Sequence, residues 1–409
     1  MDDTALSHLH PSDIRALTQL LSDAVVGGTD VTEAVHAAIA ERVGIRWIER
    51  DEERMGGISG LVYRSVRGIT NGVARVSDRI LHHTEPLLDD TRSSSRERDA
   101  VIAILNGVLG DYLTAMGNPL AMPMQLRRKG QPLTLQSHLV AQALPDASPY
   151  LVVWIHGLCM NDVQWTRSGH DHATAAERDL PVTSIMARYN TGLHISTNGK
   201  TMATLLERLL EACPQPVERL ALIGHSMGGL VARSALHYAT EQGLRWPHQL
   251  TTLVCLGAPH HGAPLERGGG WIDYLLGAST VSAPLARLGK IRSDGITDLR
   301  YGYLRDADWR RLDAQQVGQD TRTPTPFPEH IWPYLMAAST GARQGDLKDR
   351  VLGDGLVPLD SALGRHPDPD LALNVPHEQQ WVGYDMNHFD LLSDYATYRA
   401  LRTHLAQTL

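Results

Sequence analysis

Apolar residues in the first 118 positions recur at helical spacing. After Ser12-Asp13, the residues Ile14, Leu17, Leu20 and Leu21 share one helix face, and a second helix is expected over 31–43. From Ile58 a longer stripe runs through Val62, Val66, Ile69, Val73, Val76 and Ile80, always three or four residues apart. Its polar side carries Arg64, Arg67, Arg75 and Arg79 against Asp78. Gly60, Gly68 and Gly72 cost such a helix about 1 kcal/mol each relative to Ala, so it needs a surface to dock on. The expected surface is its own domain, a partner helix or an anionic membrane, the last two through residues 58–81. A Ser/Arg-rich loop at 91–98 leads into a further helix through Val101, Leu105, Val108, Tyr112 and Met116. Gly117-Asn118-Pro119 stops it.

After Pro119 the pattern switches to short apolar runs alternating with helices. Residues 124–128 and 131–135 flank Lys129-Gly130 as a hairpin, and strands are expected at 150–155, 182–189, 220–223, 250–256, 331–338 and 379–382. Helices at 202–212 and 230–240 separate the central runs. This alternation predicts an α/β fold, a mainly parallel twisted sheet with helices on both faces. Residues 263–330, rich in Gly, Pro, Arg and Asp, interrupt the rhythm as an insertion capping the sheet edge. The expected organisation is a helical region over 1–118 and an α/β domain over 119–409.

Composition narrows the function classes. The 409 residues are 42% hydrophobic and 21% charged, which is ordinary globular usage. A net charge of −8 lacks the cationic field that nucleic acid requires, so no nucleic-acid partner is expected. Cys159, Cys213 and Cys255 are odd in number and lack CxxC spacing; they read as buried thiols in a reducing, cytoplasmic setting. Met1-Asp2-Asp3-Thr4 has no basic start followed by an apolar run, so no secretory signal is expected, and no apolar run reaches the ~18 residues of a membrane span.

The chemistry concentrates in a few segments. Leu220-Ala221-Leu222-Ile223 runs as a strand into Gly224-His225-Ser226-Met227-Gly228, and a helix leaves from Gly229-Leu230. A nucleophilic serine on so tight a strand-to-helix turn needs Gly at both flanking positions, where a Cβ would collide with the neighbouring strand and helix. An acyl-transfer serine also needs two N–H groups aimed at the developing oxyanion. One comes from the residue after the nucleophile and the other from the loop after an earlier strand. Met227 and Leu158, the latter in His156-Gly157-Leu158 beyond the strand at 150–155, fit those places. His156 itself is expected to pack behind that loop.

The acid and then the base are expected later in the chain, each just beyond a strand. Asp354 lies between Gly353 and Gly355, with Asp360 as the rival acid, and His388 follows Met386-Asn387. The pairs His170/His172 and His260/His261 are too sparse for a metal without a matched carboxylate, and no metal is expected.

Five segments resemble the bacterial lipase/esterase branch of the α/β-hydrolases. They are His156-Gly157-Leu158, Gly224 to Arg233, Leu256 to Pro264, Gly353 to Pro358 and Asn387-His388-Phe389. They are also similar to the hydrolase domain of GPI-inositol deacylases. The likeness spans about residues 120–409 and says nothing of the first 118. It implies an α/β-hydrolase fold that cleaves carboxylic esters, often of lipids, without an organic cofactor. The triad would be Ser226, Asp354 and His388, with Leu158 and Met227 as oxyanion donors. The same triad serves acyltransferases and polyester or thioester hydrolases, and a non-catalytic membrane scaffold is the alternative outside enzymes. The insertion would roof the acyl pocket, with Gly268-Gly269-Gly270 as a hinge and Trp271, Tyr274 and Leu275 facing substrate.

Overall fold

The computed structural model describes residues 50–51, 54–55, 96–263, 293–310, 320, 322–343 and 353–409. The helices expected at 14–21, 31–43 and 58–81, and the hinge and substrate-facing residues 268–275, lie outside these residues. The chain forms two compact units, one of residues 1–95 with 115–120 and one of 96–114 with 121–409. In the first, Arg50–Asp51 pairs antiparallel with Arg54–Met55. These two short strands fall between the helices expected at 31–43 and 58–81, where Glu49-Arg50-Asp51-Glu52-Glu53-Arg54 has no apolar period to hold a helix.

The second unit begins with helix α1 (Arg96–Ala115) and is built on one sheet. Its strands are β1 (Gln125–Arg128), β2 (Gln131–Pro132), β3 (Tyr150–Ile155), β4 (Thr183–Arg188), β5 (Arg219–His225), β6 (Leu250–Leu256), β7 (Trp332–Ser339) and β8 (Gln380–Tyr384). They lie in the order β2-β1-β4-β3-β5-β6-β7-β8. Strands β3 to β8 are parallel, and only β1 runs against them, pairing antiparallel with both β4 and β2. Among the described residues the other helices of seven residues or more are α2 (Ser137–Ala143), α3 (His172–Asp179), α4 (Ile195–Ala212), α5 (Met227–Glu241), α6 (Asp294–Tyr301) and α7 (Tyr395–Thr408).

Because the central strands are covered on both sides, their sequences are continuously apolar instead of alternating. Leu151 to Ile155, Leu220 to Ile223 and Leu253 to Leu256 are all fully buried. Right-handed crossovers explain the two helix layers. From β3 the chain crosses through α3 to β4 on one side, then returns through α4 to β5 on the other. Helices α3 and α4 therefore cover opposite faces, and α5 packs beside α4. Strand β3 sits where the direction of winding reverses, and the loops after β3 and β5 flank the crevice that such a reversal opens.

The described part of the 263–330 insertion rests on helices. Asp298 of α6 accepts a hydrogen bond from the backbone N–H of Ile195 (2.8 Å) and pairs with His194 (3.1 Å), at the start of α4. Ser234 of α5 donates to the Leu304 carbonyl (2.7 Å). Among the described residues, no helix is long and apolar enough to cross a membrane.

Candidate active site

Strand β5 ends in a backbone that ordinary residues avoid. Ser226 has φ 54° and ψ −122°, a conformation costing about 1–3 kcal/mol, held by the turn around it. Its N–H donates to the Leu256 carbonyl (2.8 Å), and its own carbonyl accepts from Gly229 (3.1 Å) as α5 starts. The flanking glycines are required by space. A Cβ on Gly224 would lie 2.3 Å from the Gly229 nitrogen, and one on Gly228 would lie 2.1 Å from the Ile155 carbonyl oxygen. The helix and the neighbouring strand thus both close on the turn, as the motif predicts. Met227 is the first residue of α5, where an N–H has no partner within the helix.

The loop after β3 comes up against the serine. A Cβ on Gly157 would stand 3.0 Å from the Ser226 Cβ, so Leu158 follows a residue in contact with the nucleophile turn. Met160 N–H donates to the Gly157 carbonyl (3.3 Å), which closes a four-residue turn with Cys159 in its third position at φ 58°. A positive φ there is the type II signature and usually selects Gly or Asn.

Asp354 and His388 meet directly. The His388 Nδ1–H donates to Asp354 Oδ2 (2.6 Å), and both side chains are buried. The other carboxylate oxygen, Oδ1, accepts from the N–H groups of Leu356 (3.0 Å) and Val357 (2.8 Å). Gly353 at φ 53° and Gly355 at φ 94° give the turn this shape, and His388 N–H returns a bond to the Asp354 carbonyl (3.1 Å). Asp360, the rival acid, is exposed and faces Arg365 at 3.4 Å. Gly257, next to the carbonyl that holds Ser226 N–H, packs on this imidazole: a Cβ there would lie 3.1 Å from His388 Nδ1 and Cε1. The strand ends of β5, β6, β7 and β8 thereby bring Ser226, His388 and Asp354 to one rim of the sheet.

Several histidines prove to be framework. His156 donates from Nδ1 to the Gly157 carbonyl (3.0 Å), accepts the Tyr189 N–H at Nε2 (3.3 Å) and stacks on the Tyr189 ring. Both nitrogens are used, and burial pushes its pKa down to about 4, so it packs behind the loop as expected. His225, in the same turn as Ser226, donates from Nε2 to the His388 carbonyl (3.2 Å) and thereby supports the loop carrying His388. His172 donates to the Leu391 carbonyl (3.0 Å) on that same loop and accepts from His170 (2.7 Å). His260 accepts from the buried Arg233 (3.1 Å). The sequence spacing singled out each of these histidines without revealing its bond, since every partner except Gly157 and His170 is remote in the chain.

These bonds predict acid sensitivity. Burial holds His156, His172 and His404 neutral, with pKa values near 4 against 6.5 for the free side chain. The unfolded chain therefore binds more protons between pH 6.5 and 4, and stability falls as pH drops through that window. His194 has the opposite sign. Burial opposes its charge but Asp298 and Asp294 outweigh it and raise its pKa, so its contribution is full below 6.5 and fades as pH rises through the raised value. His404 donates from Nε2 to Thr252 Oγ1 (2.7 Å), so thermal unfolding across pH should show Tm dropping from pH 6.5 to 4, less steeply in His404→Gln, whose amide can still make that bond. A Tm flat over that range would contradict the assignment.

Residues 147–325 match the family model described as PGAP1-like alpha/beta domain. The chain is similar to the mature lipase BlEst2 of Bacillus licheniformis at 20% identity, covering 64% of this chain and 93% of that one with a TM-score of 0.40. For a lipase-esterase related protein of Clostridium acetobutylicum the values are 13%, 64%, 95% and 0.34. For lipase B of Aspergillus fumigatus they are 8%, 63%, 52% and 0.38. Among curated protein sequences, none matches. With a parallel sheet wound about β3 and a match over residues 147–325 that spans the strands on either side of it, the chain has an α/β-hydrolase-like fold.

Proposed function

We propose that the protein is a serine hydrolase of carboxylic esters with apolar acyl groups, such as lipid esters. The observation that carries this reading is the buried His388–Asp354 pair at the same rim as the strained Ser226 turn. His388 Nε2 takes the proton of Ser226 as Oγ attacks the ester carbonyl carbon. The carbonyl π-bond pair moves to oxygen, where the N–H groups of Leu158 and Met227 stabilise it. Collapse expels the alcohol, which leaves with the proton from His388. Water then repeats the cycle on the acyl-enzyme, yielding the carboxylic acid and free Ser226. Asp354 keeps the imidazole with its Nδ1 protonated, so that Nε2 is the basic nitrogen.

Apolar acyl groups suit the buried, apolar character of Leu158 and Met227, next to the serine turn in sequence, and of Leu391, which packs on Gly257 beside His388. The same acyl-enzyme serves a thioester, a polyester or an acceptor alcohol. We also place the protein in a reducing compartment, because Cys159, Cys213 and Cys255 are free thiols.

A fluorophosphonate probe on the folded protein, followed by peptide mapping, should modify Ser226. Rates on p-nitrophenyl esters should rise from acetyl toward longer acyl chains. Absence of labelling at Ser226 would sink the nucleophile, whereas a fall with chain length would confine the error to the acyl preference. Product analysis with added alcohol separates hydrolysis from transfer.

A further inference from the structure

We infer that Thr191, braced by helix α1, is a positioning residue that sets the direction of the Leu158 N–H and hence the oxyanion contact. The inference rests on the acyl-enzyme reading above. Two consecutive peptides of the Gly157–Met160 turn matter. The N–H of Leu158 belongs to the peptide facing the serine, and the N–H of Cys159 belongs to the next one. Thr191 Oγ1 accepts the Cys159 N–H at 3.1 Å, with both residues buried. This bond fixes the plane of the second peptide, and through the φ and ψ of Leu158 it fixes where the first one points.

The turn would not hold this shape unaided, because a cysteine occupies the positive-φ position that favours glycine. Its side chain is held from outside. A Cβ on Gly107 of α1 would lie 2.2 Å from Cys159 Sγ and 3.0 Å from its Cα, so the helix backbone rests directly against Cys159. Thr191 is clamped from the same side. Its neighbour Asn190 donates to the Gly110 carbonyl (2.9 Å) and to Thr114 (3.1 Å) of α1. A Cβ on Gly192 would meet the Asn106 carbonyl oxygen at 2.2 Å, and one on Gly295 of α6 would meet the Thr191 carbonyl oxygen at 2.0 Å. Three glycines therefore let α1, the loop after β4 and α6 close on the turn. Helix α1 precedes residues 147–325, so its side of the bracing lies outside the stretch that matches the family model.

Thr191→Val keeps the shape of the side chain and removes the acceptor, leaving the Cys159 N–H buried without a partner. Kinetics on p-nitrophenyl esters should show kcat lower by roughly 10- to 100-fold, the range between a misplaced and a lost oxyanion donor, with KM nearly unchanged. Affinity for an alkyl boronic acid, whose tetrahedral adduct on serine puts an oxygen in the same hole, should fall in parallel. Thr191→Ser restores the hydroxyl and should recover both. Should the Val variant not fold, Thr191→Ala against Thr191→Ser makes the same comparison. Equal losses in Ala and Ser, or a folded Val variant with parental kcat and boronate affinity, would overturn the inference. Full turnover in Ser226→Ala would instead overturn the reading beneath it.

Discussion

Ser226→Ala is expected to lower kcat on any accepted ester by on the order of 10⁶, the loss seen when a triad serine alone is removed. The fold should persist. The strain at φ 54° belongs to the turn, not to the hydroxyl, and alanine has the same Cβ demand as serine. Thermal unfolding should therefore match the parent while fluorophosphonate labelling disappears. The residual rate would measure what the two N–H donors and binding contribute without a nucleophile. A purified, folded Ser226→Ala protein that retained more than about a tenth of parental kcat would refute the nucleophile.

Asp354→Asn should cost about 10⁴ in kcat for a reason specific to this turn. Oδ1 already accepts the N–H groups of Leu356 and Val357, so the amide oxygen of an asparagine is fixed on that side. Its NH₂ must then face His388 Nδ1, where Oδ2 stood. Two donors cannot share that bond, and the imidazole moves its proton to Nε2. The nitrogen that should take the serine proton is then occupied. The exposed rival gives the contrast: Asp360→Asn should leave kcat within about twofold, the usual behaviour of an exposed polar site away from such features. Comparable losses in both variants would mean that charge near the rim matters, and not the orientation of His388.

Much of this arrangement was legible because buried parallel strands and tight Gly turns leave strong local signals. The runs at 150–155 and 250–256 coincide with β3 and β6. Strand β5 is longer than the apolar run 220–223, because it continues through Gly224 and His225 to deliver the serine. Helix α4 begins at Ile195 and not at 202. Its first turns, Ser196-Thr197-Asn198-Gly199, have poor helix propensity, and packing overrides it: a Cβ on Gly199 would lie 2.2 Å from Ser234 Oγ of α5. The hairpin's second arm, expected over 131–135, shrinks to Gln131–Pro132, since proline cannot donate to a ladder. The boundary at Pro119 follows the change of apolar period, whereas the compact units divide elsewhere. Helix α1 carries a helical period yet docks through glycines, which leave no mark in a hydrophobic pattern. For the same reason Thr191 passed unnoticed: its partner is a backbone N–H far away in sequence.

The separation of these groups along the chain also affects biosynthesis. Strand β5 and its serine leave the ribosome well before Asp354, β8 and His388. On the proposed reading, a nascent chain that has folded β3 to β6 has the Ser226 turn in place but lacks His388 to deprotonate it. Strand β8 joins the sheet at its outer edge, against β7 alone, and α7 then fastens that side through Tyr398, which donates to Asp179 of α3 (2.8 Å). On that reading reactivity is the last property the chain acquires, and partly synthesised or edge-frayed copies would be chemically silent even while most of the core is intact.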